Sequence, residues 1–171
     1  MHNFQPYPIN MLEINPFEKI NREWFALTTE ADGKVNAMTC SWGTMGTLWN
    51  KSVLMAFVRE SRYTRELLDK SESFSACFFD PADKSNKILL DYLGKTSGHK
   101  EDKIKSAHLH MNYDMKIPYI DECNFALICK KLAKIPITED MILDKDIVPK
   151  NYANGDYHYI YIGEVVDALA R

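Results

Sequence analysis

The sequence Asn36-Ala37-Met38-Thr39-Cys40-Ser41-Trp42-Gly43 is followed, one apolar stretch later, by Arg59-Glu60-Ser61-Arg62-Tyr63-Thr64. In the first segment, hydroxyls and an indole lie where a predicted apolar strand passes into a loop that contains glycine. In the second segment, two guanidinium groups and a further hydroxyl lie where the next predicted strand ends. Because loops at the ends of strands commonly carry binding groups, the two segments predict a site for a flat ring and a phosphate.

The residues around these segments predict a mainly β chain. Val35 to Ser41 follows an Asp32-Gly33 turn, and with Trp24 to Thr29 it is typical of a hairpin. Ser52 to Val58 is apolar after its first residue, which suits a strand buried on both faces. Further strands are predicted at Phe74 to Phe79, Asn124 to Ala133 and Tyr157 to Val166.

Helices are fewer and shorter. They are predicted at Thr64 to Leu68 and at Lys84 to Leu93, the second ending at Gly94, and Gly98 to His108 is predicted to be a charged surface helix. Asp144 to Asp156 is predicted to be a loop whose length suggests a functional role. Many strands with mostly short connections favour a closed barrel with peripheral helices over a βαβ fold.

The composition is that of a single globular domain over residues 1–171. Hydrophobic residues make up 46% and charged residues 26% of the chain. The 21 basic residues are dispersed among 24 acidic ones, so no nucleic-acid partner is expected. The sequence contains no apolar stretch near the ~20 residues of a membrane-spanning helix. Met1 to Pro6 lacks the features of a signal peptide, so no membrane association and a cytoplasmic location are expected.

Cysteines and histidines give no metal-binding pattern. The cysteines are Cys40, Cys77, Cys123 and Cys129. They contain no CxxC pair and are expected to be free thiols, with Cys40 a small buried side chain rather than a redox thiol. His108 and His110 share a face of an extended segment, but neighbouring residues do not complete a zinc set. His158 is expected to be a satisfied core or interface histidine.

Each half of the predicted site has a simpler interpretation. Arg59 and Arg62 could bind phosphate oxygens together with the Thr64 hydroxyl and the free N–H groups of a helix start. Alternatively, the arginines pair with Glu60 and Glu66 in an exposed turn, and this second interpretation is favoured when the segment is taken alone.

The first segment also has two interpretations. Thr39 and Ser41 could supply hydroxyls to an isoalloxazine ring, while Met38, Trp42 and Trp49 cover its face. The same residues could instead close one end of a barrel. Considered alone, neither interpretation is favoured over the other.

Five segments, in order along nearly the whole chain, resemble the flavin reductase-like, FMN-binding split-barrel family that includes flavoredoxin. They are Asn36-x-Met38-Thr39-x-Ser41-Trp42-Gly43, Leu48-Trp49-Asn50-Lys51, Val58-Arg59-x-x-Arg62-Tyr63-Thr64, Ser97-Gly98-x-x-x-Asp102-Lys103 and Asp156-Tyr157-His158-x-x-Tyr161-Ile162-Gly163-Glu164. The resemblance implies a mainly β, split β-barrel fold of Greek-key type with a few peripheral helices. It also implies a homodimer that binds FMN at or near the subunit interface.

The resemblance assigns roles to these segments. Met38, Thr39, Cys40, Ser41 and Trp42 are implied to line the isoalloxazine and ribityl chain, Arg59, Arg62, Tyr63 and Thr64 to hold the phosphate, and Ser97, Gly98, His99 and Lys103 to close the pocket. Lys103 or His99 would stabilise reduced, anionic flavin. The family usually has arginine where His99 stands, which implies weaker, pH-dependent contacts to phosphate or reduced flavin.

Three functions follow as expectations. The first is an FMN-dependent oxidoreductase that passes reducing equivalents from NADH or NADPH through flavin to a flavin or protein acceptor. The second is a non-enzymatic FMN electron carrier that serves a redox partner protein, and the third is a barrel without flavin. No residue is a convincing acid or base, so no catalytic side chain is predicted. No nicotinamide fingerprint identifies the electron donor.

Overall fold

The computed structural model describes residues 2–171 and shows a mainly β fold. The strands are β1 (Gln5–Pro6), β2 (Phe25–Ala31), β3 (Lys34–Cys40), β4 (Gly43–Leu48), β5 (Lys51–Arg59), β6 (Ser73–Phe78), β7 (Met111–Asp114), β8 (Ile117–Ile120), β9 (Phe125–Pro136) and β10 (His158–Ala170). The α-helices are α1 (Pro16–Asn21), α2 (Tyr63–Lys70), α3 (Lys84–Lys95), α4 (Lys103–Ser106) and α5 (Ile147–Asn151).

Seven strands follow one another across an antiparallel sheet in the order β3-β2-β6-β9-β10-β5-β4, and β1 adds to β10. β7 and β8 form a separate hairpin. β3 and β4 stand at opposite ends of this order, yet only Ser41 and Trp42 separate them in the chain. The sheet must therefore curve back on itself, and this two-residue connection, called here the seam, closes it into a barrel. The predicted mainly β, split-barrel fold with a few peripheral helices is confirmed.

Alternate residues of the central strands supply two separate cores. Phe25 and Leu27 of β2 pack inside the barrel with Phe74 and Leu127. Ala26, between them, faces the opposite side. That second core lies beneath α3 and the β7–β8 hairpin and includes Ala26, Ala37, Cys77, Leu90, Leu93, Ile117, Ile120 and Ile128. Because successive side chains of a strand point to opposite faces, one sheet is buried on both sides.

Local turn chemistry explains the predicted hairpin. β2 and β3 pair in the expected register, with Thr28 opposite Ala37. Asp32 and Gly33 both have positive φ angles, of 53° and 70°, as a two-residue turn that follows the twist of the strands requires.

Several predicted boundaries were wrong. The proposed helix from Gly98 to His108 is reduced to α4, which begins only after Asp102 accepts a hydrogen bond from the backbone N–H of Lys105. α3 continues through Gly94, and the segment predicted as a long loop contains α5. Gly43 begins a strand rather than a loop. Only a residue without Cβ fits at this position, because a Cβ would lie 2.8 Å from the Met55 carbonyl oxygen. Within residues 2–171, no helix is long and apolar enough to cross a membrane.

Candidate functional site

A cavity opens at the seam, between the end of β3 and the end of β5. It is lined by Met38, Thr39, Cys40, Ser41, Trp42, Phe57, Arg59, Arg62 and His158. Its volume is about 160 Å³, which is smaller than the range of about 300–1,000 Å³ typical of complete small-molecule sites. All of these residues except Phe57 and His158 belong to the site predicted from the sequence. The structure therefore brings together the two segments at residues 36–43 and 59–64. We call the nine residues that line the cavity the cavity wall.

Strand register explains why distant residues meet here. β5 and β10 are antiparallel, and Arg59 lies directly opposite His158. Residues that pair across two strands project from the same face of the sheet, so both side chains reach the cavity. Phe57 lies two residues before Arg59 and shares that face. The Trp42 ring packs against His158, with ring centres 4.8 Å apart.

Arg59 connects the cavity wall to the segment before β10. Its guanidinium carbon lies 5.8 Å from the Trp42 ring centre and 5.4 Å from that of Tyr152. Nη1 donates to the Asp156 carbonyl at 2.7 Å, and Nη2 donates to the Asn151 carbonyl at 3.1 Å. These bonds leave other N–H groups of the arginine fork free to serve a ligand. Arg59 thus holds a loop in place and brings a positive charge to the cavity.

Asp156 fixes the same loop to the start of α2. Its carboxylate accepts hydrogen bonds from the backbone N–H of Ser61 at 3.0 Å and from the Ser61 hydroxyl at 2.7 Å. Arg62 follows as the N-cap residue of α2, and it donates from Nη1 to the Gly94 carbonyl at 2.7 Å. The two arginines are therefore held by backbone carbonyls from two different elements, not by the exposed carboxylate pairing considered above.

His158 is buried, and its Nδ1 lies 2.9 Å from the Tyr152 hydroxyl. Burial and the nearby charges of Arg59 and Arg62 lower its pKa to about 4, against the opposing effect of Asp156. The imidazole is therefore neutral near pH 7. The expectation of a satisfied, buried histidine agrees with these contacts, but the position of His158 in the cavity wall was not predicted.

Thr39 and Cys40 form the inner part of the cavity wall. The Thr39 hydroxyl donates to the Leu90 carbonyl on α3, which fixes the end of β3 against that helix. Cys40 is 2% exposed, and burial raises the pKa of its thiol to about 12 despite the nearby Arg62. A protonated thiol is a poor nucleophile, so Cys40 acts as a small buried side chain, as the sequence favours.

The predicted residues Tyr63, Thr64 and Gly98 lie behind the cavity wall. Asn36 donates from Nδ2 to the Thr64 hydroxyl at 2.7 Å, and both residues are buried. A Cβ at Gly98 would lie 2.4 Å from Tyr63 Cδ1 and 2.9 Å from Asn36 Oδ1. Glycine therefore allows the segment from Ser97 onward to pack directly against β3 and α2.

His99 and Lys103 complete this layer. The His99 ring lies 4.6 Å from the Tyr63 ring, and its Nε2 lies 3.0 Å from Glu66 Oε1 at the surface. Lys103 is 2% exposed, and its Nζ donates to the Leu93 carbonyl at 2.9 Å. Burial and the charge of Arg62 lower the pKa of Lys103 to about 8. We call Asn36, Tyr63, Thr64, Gly98, His99 and Lys103 the support layer.

The support layer and Trp49 do not line the cavity of this chain. Trp49 is 59% exposed at the turn between β4 and β5, at the opposite end of β4 from Trp42. The ligand contacts implied for Trp49, Tyr63, Thr64, Ser97, Gly98, His99 and Lys103 stay predictions. Within residues 2–171, no group of three or more His, Cys, Asp or Glu side chains is placed to hold a metal ion.

Comparison with known families identifies the class of domain. The flavin reductase like domain matches residues 17–171, and the chain therefore belongs to this family. The family resemblance seen in the five sequence segments is confirmed. No curated protein matched the sequence.

Solved structures with the same fold include two flavoredoxins. The protein from Methanosarcina acetivorans is 25% identical over 87% of this chain and 68% of its own, with a TM-score of 0.68. The protein from Desulfovibrio vulgaris (Miyazaki F) is 20% identical over 86% of this chain and 69% of its own, with a TM-score of 0.65. An FMN-binding domain of a flavin reductases-like enzyme from Shewanella baltica is 17% identical over 98% of this chain and 77% of its own, with a TM-score of 0.69.

Proposed function

We propose that this protein is an FMN-binding oxidoreductase that passes reducing equivalents from NADH or NADPH, through flavin, to a flavin or protein acceptor. One observation carries the proposal: a single cavity at the barrel seam combines two arginines with aromatic and apolar side chains. This is the combination that a phosphate attached to a flat, largely apolar ring system requires. Membership of the flavin reductase-like family supports the same conclusion.

The phosphate end is assigned to Arg59 and Arg62. Both line the cavity, and each retains N–H donors beyond those bonded to carbonyls. Arg62 is also the N-cap of α2, and within residues 2–171 it makes no side-chain capping bond there. The first N–H groups of α2 and the positive end of its dipole therefore add to the attraction for phosphate oxygens.

The ring end is assigned to the seam and its neighbours. Met38, Phe57 and Trp42 offer apolar surface, while Ser41 and His158 offer polar groups at the edge of the same cavity. FMN, when bound, supplies the hydride and electron transfer chemistry. The side chains of the cavity wall position the ring and exclude water from it. The FMN-binding domain from Shewanella baltica, which has the same fold, supports the choice of cofactor.

An electron carrier without reductase activity is the second candidate. Structural similarity to two flavoredoxins favours this alternative. Absorbance bands of oxidised flavin in the purified or FMN-loaded protein would support both candidates, and their absence would contradict both. Anaerobic titration then separates them: bleaching by NADH or NADPH supports the reductase. Bleaching only by a reduced redox protein supports the carrier.

We also propose a homodimer with FMN near the subunit interface. Two aromatic side chains close to the seam, Phe17 and Trp42, are 83% and 41% exposed, and they line one groove beside the cavity. Burial of such apolar surface stabilises association. In this arrangement Trp49 is assigned to the interface. Light scattering after gel filtration would give twice the chain mass, whereas a monomer with full FMN affinity would contradict the proposal.

A further inference from the structure

Tyr152 contacts His158, and Tyr152 lies outside all five segments that carry the family resemblance. Tyr152 is the C-cap residue of α5 and is only 7% exposed. Its hydroxyl lies 2.9 Å from Nδ1 of His158. The imidazole ring also packs against the Trp42 ring, and His158 lines the cavity. One ring nitrogen is thus engaged behind the cavity, which leaves Nε2 for whatever the cavity binds.

The direction of this hydrogen bond determines what His158 offers to a ligand. Within residues 2–171, the Tyr152 hydroxyl makes no other hydrogen bond, so its proton has one acceptor there, Nδ1. A neutral imidazole that accepts at Nδ1 carries its proton on Nε2. Its surroundings keep His158 neutral: burial first, and then the charges of Arg59 on β5 and Arg62 at the start of α2, lower its pKa against the opposing effect of Asp156.

Tyr152 itself is held firmly enough to act as a fixed donor. Its ring stacks on Tyr157, with centres 4.6 Å apart and planes within 17°. The Arg59 guanidinium lies over Tyr152 and also bonds the backbone carbonyls of Asn151 and Asp156 on either side of it. The segment that carries Tyr152 is therefore tied to the same strand that pairs with His158.

We propose that Tyr152 is a positioning residue that holds His158 in the Nε2–H tautomer, so that the cavity receives a neutral hydrogen-bond donor. The ligand that accepts this bond is the flavin, and to that extent the inference rests on the proposed function. An acceptor oxygen or nitrogen at a ring edge suits such a donor. A neutral donor here adds no further charge to a cavity wall that already contains two arginines.

The tautomer can be measured without any ligand. Long-range ¹H–¹⁵N spectra of the full-length protein at pH 7, with the His158 signals assigned through a His158→Asn variant, should show the proton on Nε2. Tyr152→Phe removes only the hydroxyl and should produce a mixture of the two tautomers. Tyr157→Phe is the matched control, because its ring is in the same stacked pair but its hydroxyl donates to Glu139 at 3.1 Å. It should leave the His158 signals unchanged.

FMN titration tests the link to the cavity. Tyr152→Phe should weaken FMN binding by about twofold relative to Tyr157→Phe, because only about half of the variant protein would then carry the donor tautomer. A wild-type proton on Nδ1, or a wild-type tautomer retained in Tyr152→Phe, would overturn the proposal. Equal FMN affinities for the two variants would overturn the assignment of the donor to the ligand. If the wild-type protein bound no FMN, the proposed function would fail, while the spectra would still decide the role of Tyr152.

Discussion

The cavity wall and the support layer carry segments of the same family resemblance, but they use them differently. In the cavity wall, Arg59 and Arg62 bond backbone carbonyls and still present free donors to the open space. In the support layer, polar groups are used inside the chain: Asn36 bonds Thr64, and Lys103 bonds the Leu93 carbonyl. A shared sequence pattern therefore marks both residues that line the cavity and residues that pack behind them.

The largest expected effect tests the cavity wall. Arg62→Ala should weaken FMN binding by about 1.5–3 kcal/mol, because it removes charge-assisted hydrogen bonds to phosphate, and Arg59→Ala should do the same. Fluorescence titration with FMN measures the change. Lys70→Ala is the control, since Lys70 is an exposed cation that pairs with Asp32 at 2.7 Å, away from the cavity. Equal affinities for all three variants would contradict the assignment of phosphate to the arginines.

The next prediction concerns the packing of the support layer. Gly98→Ala should lower the free energy of unfolding by about 1–3 kcal/mol, because the new methyl group overlaps Tyr63 and Asn36. Gly46→Ala is the matched control, since a Cβ there has no neighbour within 4 Å. Urea unfolding of both variants measures the difference. If Gly98→Ala were as stable as Gly46→Ala, close packing at this glycine would not explain its presence.

Lys103 gives a pH-dependent comparison. Its pKa is about 8 in the folded protein, against an ordinary value of 10.5. Between these values the unfolded chain binds more protons than the folded one, so stability rises with pH in that window. Relative to Lys103→Met, the wild-type protein should gain about 1 kcal/mol between pH 8 and pH 9. Urea unfolding across this range is the measurement.

Lys105→Met serves as the control for Lys103, since Lys105 lies on the same short helix with an exposed side chain. It should follow the wild-type pH dependence. Parallel curves for wild type and Lys103→Met would show that Lys103 titrates as an ordinary surface lysine.

The smallest effect is expected at His99. His99→Arg introduces the residue usual in the family, but because His99 faces Glu66 and Tyr63, FMN affinity should change by less than about 1 kcal/mol. His99→Ala should likewise lower the unfolding free energy by only about 0.2–1 kcal/mol. If His99→Arg strengthened FMN binding as much as Arg62→Ala weakens it, position 99 would belong with the cavity wall.

Local patterns account for what the sequence predicted correctly. The hairpin turn at Asp32-Gly33 and the apolar strand from Ser52 to Val58 depend on neighbouring residues, and these features are found as β2, β3 and β5. The segments at residues 36–43 and 59–64 meet at the cavity because each lies at the end of such a strand.

Contacts between distant strands account for what the sequence did not predict. Phe57 is indistinguishable from a core residue in an apolar strand, and His158 reaches the cavity only because β10 pairs with β5 in one register. Lys103 was expected on a charged surface helix but is buried. Its burial depends on a hydrogen bond to the carbonyl of Leu93 on α3, which a local charge pattern does not show. Helical charge patterns cannot reveal a lysine that is buried against another helix.

The seam also sets a mechanical limit on the molecule. From the Cα of Cys40 to the Cα of Gly43 the chain has three links of about 3.8 Å, so the gap between these strand ends cannot exceed roughly 11 Å. Substitutions in the cavity wall can change charge, shape or hydrogen bonding, but no side chain can lengthen this connection. Chain length, not chemistry, therefore limits how far the end of β3 can move from the start of β4, and an inserted residue after Ser41 would relax a limit that every point mutation leaves intact.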